Sequence, residues 1–301
     1  MEILITGGTG LLGRALCHVL LAEGHQLTVL SRRPDQVQRL CGVGVRSMAS
    51  LSEWTSDKHF DVVINLAGAP IVDLPWTESR KQTLWTSRVK LTEQLVDAIA
   101  NAAHKPAALL SGSAIGYYGD CGEASCSDAL ALPNPSADDF GARLCAAWEA
   151  AAQQAETSGV RVCLLRTGLV LARQGGLLSR MRLPFRLGLG GRLGNGQQWM
   201  SWIHIDDWIS SVQFLMNNAQ ASGAFNLTAP CPTRNAEFTE TLARSLDRPA
   251  CFPLPGLLLN LMLGQRSYLL LGGQRVLPER LQDMGCCFRY PDIKQALFSL
   301  K

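Results

Sequence analysis

The sequence predicts an α/β fold in which a doubly wound parallel sheet carries a smaller, mostly helical C-terminal lobe. Short apolar runs rich in β-branched residues alternate with longer amphipathic segments, the pattern of repeated strand and helix units. A glycine-rich turn joins the first strand to the first helix, and the alternation weakens after about residue 168. A chain of 301 residues is long enough to bury a large core around such a sheet.

Five runs are predicted as strands of the sheet. Each is nearly continuous in apolar residues, as expected of strands covered by helices on both faces. They are EILIT (2–6), QLTVLS (26–31), DVVINLA (61–67), AALLSGS (107–113) and VRVCLLRTG (160–168). We therefore assign 1–168 to the sheet domain and 169–301 mainly to a substrate lobe and helical C-terminal region, with about 200–228 returning to the sheet domain.

Charge, cysteines and hydropathy argue against several classes of protein. A formal net charge of +3 is too small to predict binding to nucleic acid or an anionic membrane. The ten cysteines lack C-x-x-C pairs and zinc-spaced histidines, and the N-terminal run resembles no signal peptide, so we expect reduced thiols and a cytoplasmic protein. The apolar stretch 254–273, interrupted by Gln265 and Arg266, is too short to span a bilayer and is predicted to cover a substrate or bind a partner.

The turn after the first strand, ITGGTGLLG (5–13), is the most informative segment. Gly7, Gly10 and Gly13 are spaced as G-x-x-G-x-x-G between a strand and a helix. Glycines let the backbone approach a pyrophosphate, and the N-terminus of a helix offers free N–H groups and a positive dipole end. The turn predicts a dinucleotide site whose main-chain donors are those of Thr9, Gly10, Leu11 and Leu12.

The end of the second strand predicts which dinucleotide is bound. NAD-binding proteins place Asp or Glu there to hold the ribose 2′-hydroxyl, whereas this chain has Ser31, Arg32 and Arg33. A carboxylate would repel a 2′-phosphate, and an arginine would pair with it. We therefore predict NADP(H), with Ser31 and Arg32 in the site; two solvated surface arginines are the alternative.

Several motifs together carry a resemblance to a known family. They are TGGTGLLG (6–13), NLAG (65–68), SGSAIGYYGD (111–120), PFRLGLGG (184–191) and WIHIDD (202–207). The chain resembles extended short-chain dehydrogenases/reductases, and it is most similar to the atypical "epimerase family", nucleotide-sugar epimerase-like proteins with a helical C-terminal domain. This resemblance implies a seven-stranded, Rossmann-type sheet of order 3-2-1-4-5-6-7, with NADP(H) along its carboxyl edge.

The resemblance also implies where the cofactor passes. Leu66, Ala67 and Gly68 should lie by its ribose, and the segment from Thr167 to Leu169 should line the nicotinamide end. A strand exit built of small residues is the alternative for 66–68.

Arg88 occupies the place where extended family members usually have an asparagine. If its side chain is buried it needs an anionic partner, for which the cofactor phosphate is the nearest candidate. If it faces water, it is an ordinary surface charge.

The catalytic helix of the family is altered in this chain. The family pattern uses a tyrosine hydroxyl to exchange the substrate proton and a lysine four residues later to lower the tyrosine pKa. The segment DDFGARLCAAWE (138–149), with Ser136 and Asp139 as its start signal, predicts that helix. Phe140 and Leu144 stand at the two positions, so the usual mechanism cannot be transferred.

Ser113 and Tyr117 are the remaining catalytic candidates. Ser113 resembles the family serine that hydrogen-bonds the substrate carbonyl, and Tyr117 or its neighbour Tyr118 would supply a proton. The alternatives are that the serine only shapes a strand exit and that the tyrosines only pack.

The WIHIDD motif predicts structure more than chemistry. One histidine, His204, is too few for a metal site, and Asp206 or Asp207 is expected to cap the following helix. Trp199 and Trp202 are predicted either to line a pocket or to belong to the core of the smaller lobe.

These observations predict an NADP(H)-binding, oxidoreductase-like protein that lacks the Tyr-x-x-x-Lys pair and acts on an unknown small molecule. A non-catalytic NADP(H)-binding sensor of redox state is the alternative, because the cofactor turn is kept while both catalytic groups are lost. Epimerisation ranks lower, since it needs a base on the substrate and the family's base is missing.

Overall fold

A computed structural model describes residues 1–128 and 139–301 of the chain. In chain order its strands are β1 (Glu2–Thr6), β2 (Gln26–Leu30), β3 (Arg46–Met48), β4 (Val62–Asn65), β5 (Ala108–Ala114), β6 (Ser125–Ser127), β7 (Arg161–Thr167), β8 (Leu169–Leu171), β9 (Trp199–Met200), β10 (Trp202–His204), β11 (Gly223–Leu227), β12 (Thr233–Arg234) and β13 (Arg275–Leu277). Seven of them form the central sheet, and the others pair two by two as β8 with β10, β9 with β12 and β6 with β13.

The helices lie between these strands and after them. They are α1 (Leu11–Ala22), α2 (Val37–Cys41), α3 (Glu78–Trp85), α4 (Leu91–Asn101), α5 (Phe140–Gln153), α6 (Gly176–Arg186), α7 (Ile205–Asn217), α8 (Asn235–Ser245), α9 (Gly256–Leu263), α10 (Tyr268–Leu271), α11 (Glu279–Asp283) and α12 (Ile293–Ser299). One π-helical segment, Thr86–Lys90, joins α3 to α4 without a break.

The central sheet confirms the predicted Rossmann-type fold. Its order is β11-β7-β5-β4-β1-β2-β3, with every neighbouring pair parallel. When only the strands of this sheet are numbered, so that β7 is the sixth and β11 the seventh, and the order is read from β3, this is the predicted 3-2-1-4-5-6-7 arrangement. All five predicted runs are in it. Strands β2 and β3 lie on one side of β1, and the later strands, from β4 onwards, lie on its other side. Ligands of open α/β sheets bind beside the carboxyl ends of the strands where the strand order reverses in this way, here between β1 and β4.

Both faces of the sheet are buried, because alternate strand residues pack against different helices. Ile3 and Ile5 belong to one apolar core, together with residues of α1 and α7. Leu4 points to the other face and belongs to a second core with residues of α4 and α5. This doubly wound packing leaves the strand ends as the places where ligands reach the backbone.

The C-terminal lobe has an apolar core of its own. Trp202 and Phe238 are fully buried in it, together with Phe185 of α6 and Leu297 of α12. Trp202 is therefore a core residue, as one of the two predicted alternatives states. Within the described ranges, none of the helices combines the length and the apolar character that crossing a membrane requires.

Two helix starts differ in detail from the prediction. Helix α5 begins at Phe140, and the Asp139 side chain caps it by accepting from the Ala142 N–H; Ser136 lies outside the described residues. Helix α7 is capped by His204, whose Nδ1 accepts from the Asp206 N–H. The expected aspartate cap is wrong, because Asp206 and Asp207 already lie in the first turn.

The cysteines are reduced with one exception. Eight are free thiols, but Cys121 and Cys126 form a disulfide, which corrects the expectation that every thiol is reduced. The two residues flank a turn in which Gly122 has a φ of +55°, and this turn brings the two side chains together.

Candidate functional site

The glycine turn lies at the carboxyl end of β1 and depends on glycine for steric reasons. A Cβ on Gly13 would lie 2.4 Å from the Gly7 carbonyl oxygen, and one on Gly7 would lie 2.5 Å from that of Leu66. The Gly10 N–H already donates to the Gly7 carbonyl at 2.9 Å. Gly10 precedes α1 without any side-chain cap, so the N–H groups of the first helical turn face the end of the strand.

A buried polar network fixes the strand exits beside this turn. Thr6 Oγ1 donates to Asn65 Oδ1 at 2.6 Å and accepts from the Ala67 N–H at 3.1 Å. Asn65 Nδ2 donates to Ser111 Oγ at 3.1 Å and to Thr92 Oγ1 at 2.8 Å. The network joins β1, β4 and β5, and it holds the predicted ribose segment 66–68 in one conformation.

Arg88 faces inward, as the first of the two predicted alternatives requires. It lies in the π-helical segment, a distortion often found at functional sites. Its guanidinium carbon would lie 2.8 Å from a Cβ on Gly68 and is 5.4 Å from the centre of the Trp148 ring. Its Nη1 is buried without a hydrogen-bond acceptor in the described chain, and burial lowers the pKa of the side chain. A buried donor of this kind indicates an acceptor that the chain does not supply.

The residues after β2 place positive charge at the neighbouring edge. Arg32 and Arg33 are exposed, and neither forms an ion pair within the described residues. Ser31 Oγ accepts from the Arg33 N–H at 3.1 Å, which shapes the turn that follows the strand.

The two positions of the missing catalytic pair are filled by packing. Leu144 is buried, and Phe140 packs against the same apolar cluster, with its ring centre 5.3 Å from that of Trp76. The Tyr-x-x-x-Lys spacing is not absent from the whole chain, since Tyr290 and Lys294 have it. However, α12 begins only at Ile293, so this pair does not share a helix face, and Tyr290 stacks on His204.

Ser113 is engaged by two buried charged residues that the sequence analysis missed. Its Oγ donates to Glu149 Oε1 at 2.6 Å, and Arg166 Nε and Nη2 donate to the two carboxylate oxygens, each at 2.8 Å. Glu149 lies on the buried face of α5, and Arg166 lies in β7 opposite Ser113. The available signal was a charged residue within an otherwise apolar helix face and another within an apolar strand run.

The two tyrosines after β5 differ in their contacts. The Tyr118 hydroxyl donates to Asn226 Oδ1 at 2.7 Å and accepts from Arg166 Nη1 at 3.1 Å, and burial raises its pKa. The Tyr117 ring lies on the Arg166 guanidinium, 3.6 Å from its carbon to the ring centre, and no described residue hydrogen-bonds its hydroxyl. The Tyr118 hydroxyl therefore has its hydrogen-bond partners within the protein, whereas the Tyr117 hydroxyl is available to a ligand.

A cavity of about 380 Å³ lies within the C-terminal lobe, lined mainly by α6, α9, α10 and the loops between them. Leu169, predicted to line the nicotinamide end, forms part of its wall, and so does Trp199. Helix α6 connects this cavity with the glycine turn: Leu11 Cδ1 would lie 3.1 Å from a Cβ on Gly175, just before α6, and residues further along α6 line the cavity. The glycine turn follows β1 and Ser113 lies near the end of β5, so both are at the carboxyl edge of the sheet, and α6 joins the turn to the cavity wall.

Comparisons with known proteins agree with this arrangement. Residues 3–228 match the model of the NAD dependent epimerase/dehydratase family, and residues 254–300 match a domain of unknown function, DUF1731. An epimerase family protein of Staphylococcus aureus (strain MW2) is 41% identical over 302 residues, covering 99% of this chain and 98% of the relative.

Two solved structures are similar over nearly the whole chain. One is the human epimerase family protein SDR39U1 (isoform 2) with NADPH: TM-score 0.88, 34% identity, 100% of this chain and 99% of that one. The other is a nucleoside-diphosphate sugar epimerase from Corynebacterium glutamicum: TM-score 0.77, 32% identity, 99% of this chain and 57% of that one. From the sheet, the glycine turn and these matches, the chain belongs to the NAD dependent epimerase/dehydratase family.

Proposed function

We propose that the chain is an NADP(H)-dependent oxidoreductase that interconverts a small-molecule carbonyl and its alcohol without the Tyr-x-x-x-Lys pair. The observation that carries the proposal is Arg88, whose guanidinium lies beside Gly68 with its Nη1 buried and without a hydrogen-bond partner in the described chain, on the same sheet edge as the uncapped start of α1. A dinucleotide phosphate is the anion that the two features fit together. The human relative solved with NADPH supports the choice of nucleotide.

The predicted cofactor residues divide among the parts of NADP(H). The glycine turn, with the N–H groups of Thr9, Leu11 and Leu12, would hold the pyrophosphate, and Ser31 and Arg32 would hold the 2′-phosphate. The segment 66–68 would lie by the ribose, and Leu169 would lie by the nicotinamide. When bound, the nicotinamide supplies or accepts the hydride.

Arg88 takes over the charge of the missing lysine in this proposal. In the family pattern that lysine would be residue 144 of α5, where Leu144 is buried instead. Arg88 lies against Trp148, one turn further along the same helix, so it brings a positive charge to this region from the neighbouring segment. An arginine keeps that charge when buried, because its guanidinium is too basic to lose the proton in a protein.

Among the candidate residues, Tyr117 is the one that we assign as the proton donor. The Ser113 proton is directed to Glu149, so Ser113 has only acceptor lone pairs left for a substrate. Arg166 lies against one face of the Tyr117 ring and positions it, while the hydroxyl makes no hydrogen bond with the described residues. During reduction Tyr117 would give its proton to the substrate oxygen, and during oxidation it would accept that proton.

The test is NADPH oxidation by the purified protein with a panel of carbonyl compounds, compared with Tyr117→Phe. We expect activity with at least one class of carbonyl, and a fall in kcat of about 10²-fold or more in the variant, with the NADPH Kd unchanged. Tyr118→Phe is the matched control, which should lower thermal stability more than it lowers kcat. A variant Tyr117→Phe with full kcat would contradict the role of Tyr117.

A non-catalytic NADP(H) sensor is the second candidate. It is favoured by Phe140 and Leu144, which fill the catalytic positions with carbon, and by the engagement of Ser113 with Glu149. Tight NADPH binding without NADPH oxidation across the whole panel would establish it over the oxidoreductase. An epimerase ranks below both, because the described site contains no base at the family position.

A further inference from the structure

The walls of the cavity beside Leu169 are almost entirely carbon. Leu177, Met181 and Phe185 of α6 form one side, and Leu259 of α9 lies on another. Its volume of about 380 Å³ is at the small end of the range for ligand sites in proteins. A site of this kind derives its affinity from burying apolar surface.

The polar side chains in these walls are already engaged by the protein. Gln198 Nε2 donates to the carbonyl oxygens of Leu193 and Leu270, at 3.1 and 2.9 Å. Asn235 Oδ1 accepts from the Leu193 N–H at 2.8 Å, and its Nδ2 contacts the Met200 sulfur at 3.4 Å. The amide groups therefore hold the walls together, and both N–H donors of Gln198 are engaged by the chain.

The cavity also lacks the charge that a nucleotide needs. Arg180 is the one charged side chain along its walls in the described part of the chain, and it pairs with Asp73. A nucleoside diphosphate carries two phosphates, whose burial without paired cations is costly. The walls thus disfavour a nucleotide sugar as the molecule that enters here.

The mouth of the cavity continues this apolar character to the surface. Leu189 and Phe252 line the cavity and are each 59% exposed. Exposed large apolar side chains grouped at the mouth of a cavity indicate contact with an apolar ligand.

We infer that the substrate is a predominantly apolar, uncharged carbonyl compound or alcohol that binds in this cavity, and not a nucleotide sugar. The inference rests on the proposed function, because it assigns the substrate class of the same reaction. The reacting group would lie at the Leu169 end, and the apolar remainder would extend between α6 and α9.

Binding can be measured without turnover. The full chain, saturated with NADP+, is titrated with the uncharged fluorescent probe N-phenyl-1-naphthylamine, and decanal or UDP-glucose is added as competitor. We expect the probe to bind, decanal to displace it and UDP-glucose to have no effect. Turnover is then measured separately, as NADPH oxidation with decanal and as NADP+ reduction with UDP-glucose, because UDP-glucose has alcohol groups and no carbonyl to reduce.

Two matched variants locate the site. Phe252→Glu places a charge on an exposed side chain that lines the cavity, whereas Leu257→Glu places one on a side chain that is 84% exposed and does not line it. We expect Phe252→Glu to weaken probe and decanal binding by about tenfold or more, and Leu257→Glu to change it less than about twofold. Neither variant should change the NADPH Kd, and both should remain folded because the substituted side chains are exposed.

The outcomes separate this inference from the proposed function. Probe displacement by decanal that is sensitive to Phe252→Glu, with no NADPH oxidation, supports the cavity assignment and contradicts the oxidoreductase. If UDP-glucose displaces the probe or is turned over, and decanal is not, the inference is overturned and the oxidoreductase stands. Equal binding by the two variants also overturns the inference, because the ligand would then lie elsewhere.

Discussion

Arg166 and Glu149 form a bidentate ion pair beneath the candidate catalytic residues. The guanidinium Nε and Nη2 donate to the two carboxylate oxygens at 2.8 Å, and the two side chains are only 9% and 5% exposed. Burial disfavours the charged form of Arg166, but the hydrogen bonds and charge of Glu149 outweigh it and raise the Arg166 pKa above its ordinary value. The pair fixes both Ser113 and the ring of Tyr117, so the geometry of the site depends on it.

Glu149→Gln should be strongly destabilising. The substitution leaves the buried Arg166 charge without its counter-ion, and breaking a buried pair in this way costs about 3–5 kcal/mol. The loss is measured as the free energy of unfolding in urea. Glu156→Gln, at an exposed position just after the same helix, should change that free energy by less than about 0.5 kcal/mol. Equal small effects from the two variants would mean that the ion pair is not maintained in solution.

Arg88→Met should separate cofactor binding from folding. It removes a buried donor that lacks a partner, so we expect the stability of the cofactor-free protein to stay the same or to rise. If Arg88 meets an anionic part of NADPH, the Kd should increase by about tenfold or more, as expected for a lost hydrogen bond to a charged group. Calorimetric titration measures the Kd. Lys90→Met, in the same π-helical segment but exposed and paired with Glu93, is the control.

An unchanged NADPH Kd in Arg88→Met, with a more stable cofactor-free protein, would show that the buried guanidinium serves neither the nucleotide nor the fold.

Gly13→Ala should disable the glycine turn. The new methyl group would lie 2.4 Å from the Gly7 carbonyl oxygen, so the turn must shift, at an expected cost of about 1–3 kcal/mol and a large loss of NADPH affinity. Gly256→Ala is the matched control, since the nearest atom to its new methyl group is 3.6 Å away. Fluorescence titration with NADPH compares the two variants. Unaltered affinity in Gly13→Ala would place the nucleotide away from this turn.

His204 should make folding stability depend on pH. Its Nδ1 must be unprotonated to accept from the Asp206 N–H, and burial lowers its pKa below the ordinary value of 6.5. The unfolded chain therefore binds the proton at higher pH than the folded chain does. This contribution to stability is complete above about pH 6.5 and is lost as the pH falls towards the lower, folded-state pKa.

His204→Asn isolates this effect because asparagine also caps helices but does not titrate. Urea unfolding at pH 7.5 and at pH 5.5 should show a larger loss of stability in the wild type than in the variant. The same loss in both proteins would assign the pH dependence to other groups.

The sheet was predictable because its signals are local. Apolar runs, their alternation with amphipathic segments and the glycine turn each reflect a requirement of nearby backbone, as Gly7 and Gly13 show. The two helix caps were harder to place. Asp139 and His204 each have polar neighbours that could also cap a helix. A shift of the helix start by a few residues would therefore give the helix a different cap.

The polar interior of the site was not predictable from sequence spacing. Glu149 and Arg166 come from a helix and a strand, and only the packing of α5 on β5 and β7 brings them to Ser113. The inward orientation of Arg88 depends on the π-helical segment, and the spacing of apolar residues in the sequence does not predict that segment. The apolar cavity likewise arises from α6, α9 and the loops between them, which are remote in sequence.

A site for NADP(H) at the glycine turn, with Arg32 on the 2′-phosphate, requires the protein to prefer NADPH over NADH. Calorimetric titration of the wild type should give a Kd for NADPH about 10- to 100-fold lower than for NADH, the range expected for an arginine pairing with the 2′-phosphate. Arg32→Asp should abolish this preference, and Arg39→Asp, an exposed arginine of α2, should not. Wild-type protein that binds NADH as tightly as NADPH, or more tightly, would contradict an NADP(H) site with Arg32 on the 2′-phosphate.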